Sequence, residues 1–120
     1  FHERVAAVYG LFAAHEERLA APFIEFLSKK PGVRLIGRPT ANPAERAPTF
    51  SFVVAGRRSA DIPALVEPAK VAIRNGHFYA HRLISDLGID PDDGVVRVSM
   101  AHYNTAQEVE RLITALDGVL

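Results

Sequence analysis

The chain has 120 residues, 48% of them hydrophobic, and its 14 basic and 14 acidic side chains cancel to a net charge of zero. That length supports one hydrophobic core and not two. A balanced charge without a basic tract leaves no footprint for nucleic acid, and no apolar run reaches the roughly 18 residues of a membrane-spanning helix. There is no cysteine, which excludes disulfides, thiolate nucleophiles and cysteine metal sites and makes the cytoplasm the expected location.

In chain order, Val5, Val8, Phe12, His15, Leu19, Phe23 and Phe26 recur every three or four residues and predict one long helix. Pro22 is expected to kink or divide it, and Pro31-Gly32 to stop it after Lys29 and Lys30. So long an apolar stripe exceeds what a small sheet can cover, so residues 1–30 read as a connector that also touches another domain. The chain starts at Phe1, already inside the helical pattern, without a methionine. It is read as a segment of a longer protein, and the charged and polar residues throughout its start are unlike a signal peptide.

Residues 33–120 read as a single α+β lobe. Val33 to Gly37 is a strand, the proline-containing stretch from Pro39 to Pro48 a surface loop, and Thr49 to Val54 a second strand. Gly56-Arg57-Arg58 is a turn with solvated arginines. Asp61 is the expected N-cap of a short helix bearing Ile62, Leu65, Val66 and Ala69, limited by Pro68. Val71 to Arg74 is a third strand ending at Asn75-Gly76, followed by a helix with Tyr79, Leu83, Ile84 and Leu87 on one face and Gly88 at its end. Pro91 to Gly94 is a turn, and Val95 to Met100 the fourth strand. Thr105 and Glu108 fit a capping box for a last helix that buries Val109, Leu112, Ile113, Leu116 and Val119. The order α-β-β-α-β-α-β-α predicts helices packed over a small, mostly antiparallel sheet of three to four strands.

The chemistry in this pattern is sparse. His77 and His81 stand four apart, as metal-binding pairs do, but no third ligand has a telling spacing. His77 is better read as a loop residue near the arginines. No serine occupies a nucleophile elbow and Gly76 is a lone loop glycine. There is no self-contained active site. What remains is the pair Arg74 and Arg97. Arg97 lies between Val96 and Val98, so strand alternation sends it to the face opposite theirs. A planar, permanently charged fork there suits a carboxylate or phosphate. The competing reading has each arginine in solvent or paired with Asp86 or Glu108.

Several segments together resemble the small C-terminal domain of the class V aminotransferases, a family of pyridoxal-phosphate enzymes. They are Pro31-Gly32-Val33-Arg34-Leu35, Phe50-Ser51-Phe52, the loop from Arg74 to Tyr79, Val96-Arg97-Val98-Ser99 and Tyr103-Asn104-Thr105 with Glu108. The Gly76-His77-Phe78-Tyr79-Ala80 run is similar to the cysteine-desulfurase-like branch. The resemblance implies that Arg97 binds the substrate's α-carboxylate and that Arg74, Asn75, Gly76 and His77 line the pocket entrance. It places Tyr79 where the desulfurases carry their catalytic cysteine, which leaves elimination, transamination or a selenocysteine-lyase-like reaction as better fits than persulfide chemistry. It also implies an amino-acid substrate, a homodimer when the protein is full length, and an N-terminal large domain supplying the cofactor lysine. Lys29, Lys30 and Lys70 match no cofactor-lysine motif, so this segment alone is expected to be inactive and free of covalently held cofactor. The alternative is a stand-alone α+β module for anion binding or dimerisation.

Overall fold

The computed structural model describes residues 1–120. The first helix, α1 (His2–Ser28), runs unbroken through Pro22, so the expected division does not occur. An interior proline costs about 3 kcal/mol. Leu19, Ala20, Phe23, Ile24 and Leu27 bracket it and are buried, and each large apolar side chain contributes ~1.5–3 kcal/mol on burial. Packing therefore outweighs the broken backbone bond. The helix is about 40 Å long in a molecule whose longest dimension is 48 Å. Residues 1–11 are exposed, Val5, Val8, Tyr9 and Leu11 among them.

Four strands follow: β1 (Val33–Ile36), β2 (Thr49–Val54), β3 (Arg74–Gly76) and β4 (Val95–Ser99). They form one sheet in the order β1-β2-β4-β3, every neighbour antiparallel. The α+β expectation holds. Period-two alternation divides the sheet into two chemically different faces. Phe50, Phe52, Val96 and Val98 point inward with Leu19, Phe23 and Leu27 of α1, and with Val109, Leu112 and Leu116 of α4 (Ala106–Asp117). Phe23 meets Phe50 edge to face at 5.1 Å. Ile62 and Val66 of α2 (Asp61–Val66) complete this core. The other face carries Ser51, Arg97 and Arg74 in register. Against it sits α3 (His81–Asp86): Ile84 and Val95 are buried outside the main core, and Arg34 donates to the Leu87 carbonyl at 3.1 Å.

Three local expectations are corrected. Asp61 is not the N-cap of α2; Ala60 holds that position and makes no side-chain cap. The free amides there donate to a carboxylate distant in sequence, Ser59 N to Asp93 Oδ2 at 2.6 Å and Ala60 N to Asp93 Oδ1 at 3.0 Å. A rule confined to neighbouring residues cannot see such a cap. Tyr79 is not part of α3, because Phe78 and Tyr79 both have positive φ, +48° and +62°. Of the predicted face only Ile84 is buried.

The third strand is displaced from residues 71–74 to Arg74–Gly76. Its pairing is set by glycine. A Cβ on Gly94 would lie 2.1 Å from the Gly76 carbonyl carbon, so β3 reaches β4 only because position 94 has none. Gly94 also has φ +68°. Asn75 Nδ2 donates to the Asp93 carbonyl at 3.3 Å, and the buried Ser59 hydroxyl donates to the Gly94 carbonyl at 3.0 Å. Before Arg74, residues 71–73 make no strand pairing with β4, and a groove of about 260 Å³ is lined by Val71, Ile73, Val98, Met100 and Leu112.

The capping box of α4 forms as expected. Glu108 N donates to the Thr105 hydroxyl at 3.2 Å, and Thr105 N donates to the Glu108 carboxylate at 2.8 Å. The bond from Thr105 N, and next the one from Asn104 Nδ2, holds the Glu108 carboxyl below the usual carboxylate range.

Gly94→Ala should destabilise the fold by roughly 2–4 kcal/mol through overlap and positive φ. Gly10→Ala, on an open helix surface, should stabilise by about 0.5–1 kcal/mol. Urea unfolding of both variants reads the contrast. A second measurement follows pH. The folded pKa of Glu108 is depressed, so its contribution is complete above the unfolded value near ~4.3 and disappears as the pH falls through the lower folded value. Glu108→Gln keeps the acceptor but removes the charge, so its stability should fall less steeply than the wild type's across that acid interval.

Candidate functional site

The candidate site is the outer sheet face at its β4–β3 end. Arg97 sits in a strand with partners on both sides, opposite Ser51 of β2 and Arg74 of β3. It is half-buried, whereas Arg74, on the edge strand, is exposed. Residues directly opposite in an antiparallel pair carry Cβ atoms about 4.5–5.5 Å apart, so the two side chains start from adjacent roots.

The guanidinium of Arg97 stacks on the ring of Phe78, with Cζ 3.8 Å from the ring centroid. The negative face of the ring attracts the cation, and the N–H groups of the fork, which make no hydrogen bond within the fold, suit a bidentate acid. The ion pairs of the fold are Lys29–Glu25, Lys30–Asp117, Arg38–Glu45 and Arg58–Asp93. Arg74 and Arg97 enter none of them, so the pairing with Asp86 or Glu108 that sequence left open does not form. The arginine hydrogen bonds belong to Arg34 and Arg46. Both donor sets at the candidate site are uncommitted.

The loop between β3 and α3 places Phe78. Ala80 N donates to the His77 carbonyl at 2.8 Å, and Tyr79 N donates to His77 Nδ1 at 3.1 Å. An accepting Nδ1 puts the proton of the neutral ring on Nε2. These bonds hold Phe78 and Tyr79 in left-handed backbone, at roughly 1–3 kcal/mol per residue, a form of strain that clusters at functional positions. Tyr79 is left fully exposed, at 102% of its reference area.

The predicted site residues are thus partly united. Arg97 and Arg74 share one face, and His77 builds the loop over it. Asn75 pairs with Val96, an inward residue, so its side chain belongs to the Asp93 turn and not to the arginine face. Gly76 serves the approach to Gly94. The His77 and His81 rings lie edge to face at 5.7 Å, and no three His, Cys, Asp or Glu side chains converge as a metal site. Phe78 was missed by sequence reasoning, although an aromatic residue two positions after a loop glycine was a usable signal. Arg97 lines neither of the two larger concavities. Arg74 edges the second, a shallow one of about 560 Å³ that includes Lys70 and Glu67. Lys29 and Lys30 are engaged by Glu25 and Asp117, while Lys70 rims both concavities with left-handed backbone, φ +57°. Lys29 and Lys30 are thus held by acidic partners, whereas Lys70 makes no ion pair.

Residues 9–112 match the model of the aminotransferase class-V family, and the chain belongs to that family. It is 43% identical over 122 residues to the aminotransferase-like protein FGM3 of Gibberella zeae, covering 100% of this chain and 30% of that protein. It is 37% identical over 105 residues to a probable cysteine desulfurase of Pseudomonas putida, covering 88% and 24%. The apo structure of a cysteine desulfurase from Thermococcus onnurineus NA1 superposes with a TM-score of 0.79 at 28% identity, over 92% of this chain and 26% of that one. The chain therefore spans less than a third of the curated relatives it matches. No helix is long and apolar enough to cross a membrane.

Replacing Phe78 with leucine removes the stacked surface and should broaden the orientation of Arg97, while Phe78→Trp should keep it. The upfield ring-current shift of the Arg97 side-chain Nε–H in NMR spectra reports this directly. A shift unchanged in Phe78→Leu would refute the stacking.

Proposed function

We propose that the chain is the small C-terminal lobe of a pyridoxal-phosphate-dependent, cysteine-desulfurase-like enzyme acting on an amino acid, and that Arg97 grips the substrate's α-carboxylate. The observation that carries this reading is the half-buried Arg97 fork, stacked on Phe78 and free of any acidic partner. Family membership and coverage of under a third of the relatives support the remainder. In this reading the cofactor lysine and the rest of the cofactor's contacts lie in an N-terminal large domain. The exposed Val5, Val8, Tyr9 and Leu11 of α1 pack against that domain, in a cytoplasmic homodimer.

When bound, pyridoxal phosphate supplies an electron sink for charge developing at the amino acid's α-carbon. This chain contributes orientation. Two parallel N–H bonds from one guanidinium fix both the position and the angle of the carboxylate, and so fix which bond at the α-carbon faces the reacting centre. Tyr79 takes the position of the desulfurases' cysteine. A phenol has no sulfur with which to form a persulfide, so elimination, transamination or selenocysteine lysis is favoured over sulfur transfer through a protein thiol. The second reading, an independent anion-binding or dimerisation module without catalysis, uses the same arginines but needs no large domain.

In the full-length protein, Arg97→Lys should lower kcat/KM for the amino acid by about 100-fold, because a point charge replaces a fork. The wild type should strongly prefer the amino acid over its carboxamide, and the variant should lose that preference. An acid-to-amide ratio equal in both proteins would show that the carboxylate is held elsewhere.

A further inference from the structure

The reading above uses Arg97 and leaves Arg74 without a task. Yet the two arginines are direct cross-strand partners, a juxtaposition of like charges that destabilises a sheet. Apart from the Phe78 ring over Arg97, nothing in the fold offsets it. Both are absent from the ion pairs. The acid closest in the chain to the start of β4 is Asp93, whose two carboxylate oxygens accept the Ser59 and Ala60 amides. No strand residue of this face carries a carboxylate. Arg34 is already turned to the Leu87 carbonyl. Two uncommitted forks remain, side by side. A single carboxylate satisfies one of them.

Building on the assignment of Arg97 to the α-carboxylate, we infer that Arg74 receives a second acid group, so that the site selects an amino acid whose side chain itself ends in an acid. The roots of the two arginines are about 5 Å apart, and both side chains are long, so their forks can engage two carboxylates separated by two or three carbons. The difference in burial fits a division of labour: Arg97, half-buried and stacked, is the fixed point, and the exposed Arg74 follows the variable end. The absence of a thiol at position 79 is consistent with a substrate that is not a source of sulfur.

The test is equilibrium binding of two unreactive acids to the full-length protein by calorimetry at constant ionic strength. Succinate carries two carboxylates, and butyrate replaces one of them with a methyl group. The wild type should bind succinate at least about tenfold more tightly than butyrate. Arg74→Gln should bring that ratio to within roughly threefold of unity, and Arg74→Lys should retain part of the preference. Thermal melting checks that the variants are folded, which the exposure of Arg74 favours. Equal affinity for the two acids, an unchanged ratio in Arg74→Gln, or no succinate binding at tens of millimolar would overturn the inference. So would inorganic phosphate binding more tightly than succinate, since that marks a site for one compact dianion. The underlying assignment fails separately, if Arg97→Gln leaves butyrate binding unaltered.

Discussion

The arginine face depends on a steric allowance between two backbones. Gly94 packs so closely on Gly76 that no side chain fits between them, and this contact brings β3 alongside β4. Without it Arg74 would not lie opposite Arg97 and the loop after Gly76 would not pass over the sheet. The same turn supplies Asp93, whose carboxylate caps the amides at the start of α2 and whose carbonyl receives Asn75. Three elements distant in sequence are therefore tied at one point, through groups that are individually ordinary.

The two faces of the sheet have different physical tasks. The inner face, with Phe50, Phe52, Val96 and Val98 against α1 and α4, provides the apolar burial that holds the fold together. The outer face is only partly covered by α3 and keeps its polar groups near solvent. A strand such as Val95–Ser99 serves both because its side chains alternate: its valines anchor the backbone, and the rigid backbone fixes the root of Arg97. The loop above it works differently. Its left-handed residues Phe78 and Tyr79 are unfavourable on their own and are held by bonds to His77, so Phe78 meets the guanidinium at the expense of local backbone energy.

Much of the architecture was legible from local patterns. The element order, the capping box at Thr105 and Glu108, the sharp stop at Pro31-Gly32 and the direction of Arg97 all follow from spacing or from the chemistry of adjacent residues. The displaced third strand, the true cap of α2 and the release of Tyr79 from α3 were not legible. The first two depend on a residue far away in the chain, Gly94 for β3 and Asp93 for α2, while the loop is held by its bonds to the His77 ring and carbonyl. The division expected at Pro22 fails for a related reason, since its local cost is known and the burial that outweighs it is tertiary.

By itself the sequence determined the α+β class, the charge balance, the absence of any thiol and the family resemblance, because composition and short-range periodicity are properties of the unfolded chain as much as of the folded one. Only the tertiary structure decided that Arg74 and Arg97 stand opposite each other, that Phe78 covers one of them and that no carboxylate comes near enough to pair with either. Those are facts of register and distance. They arise when residues 74–76 and 95–97, distant in the chain, meet across a gap that only glycine leaves open.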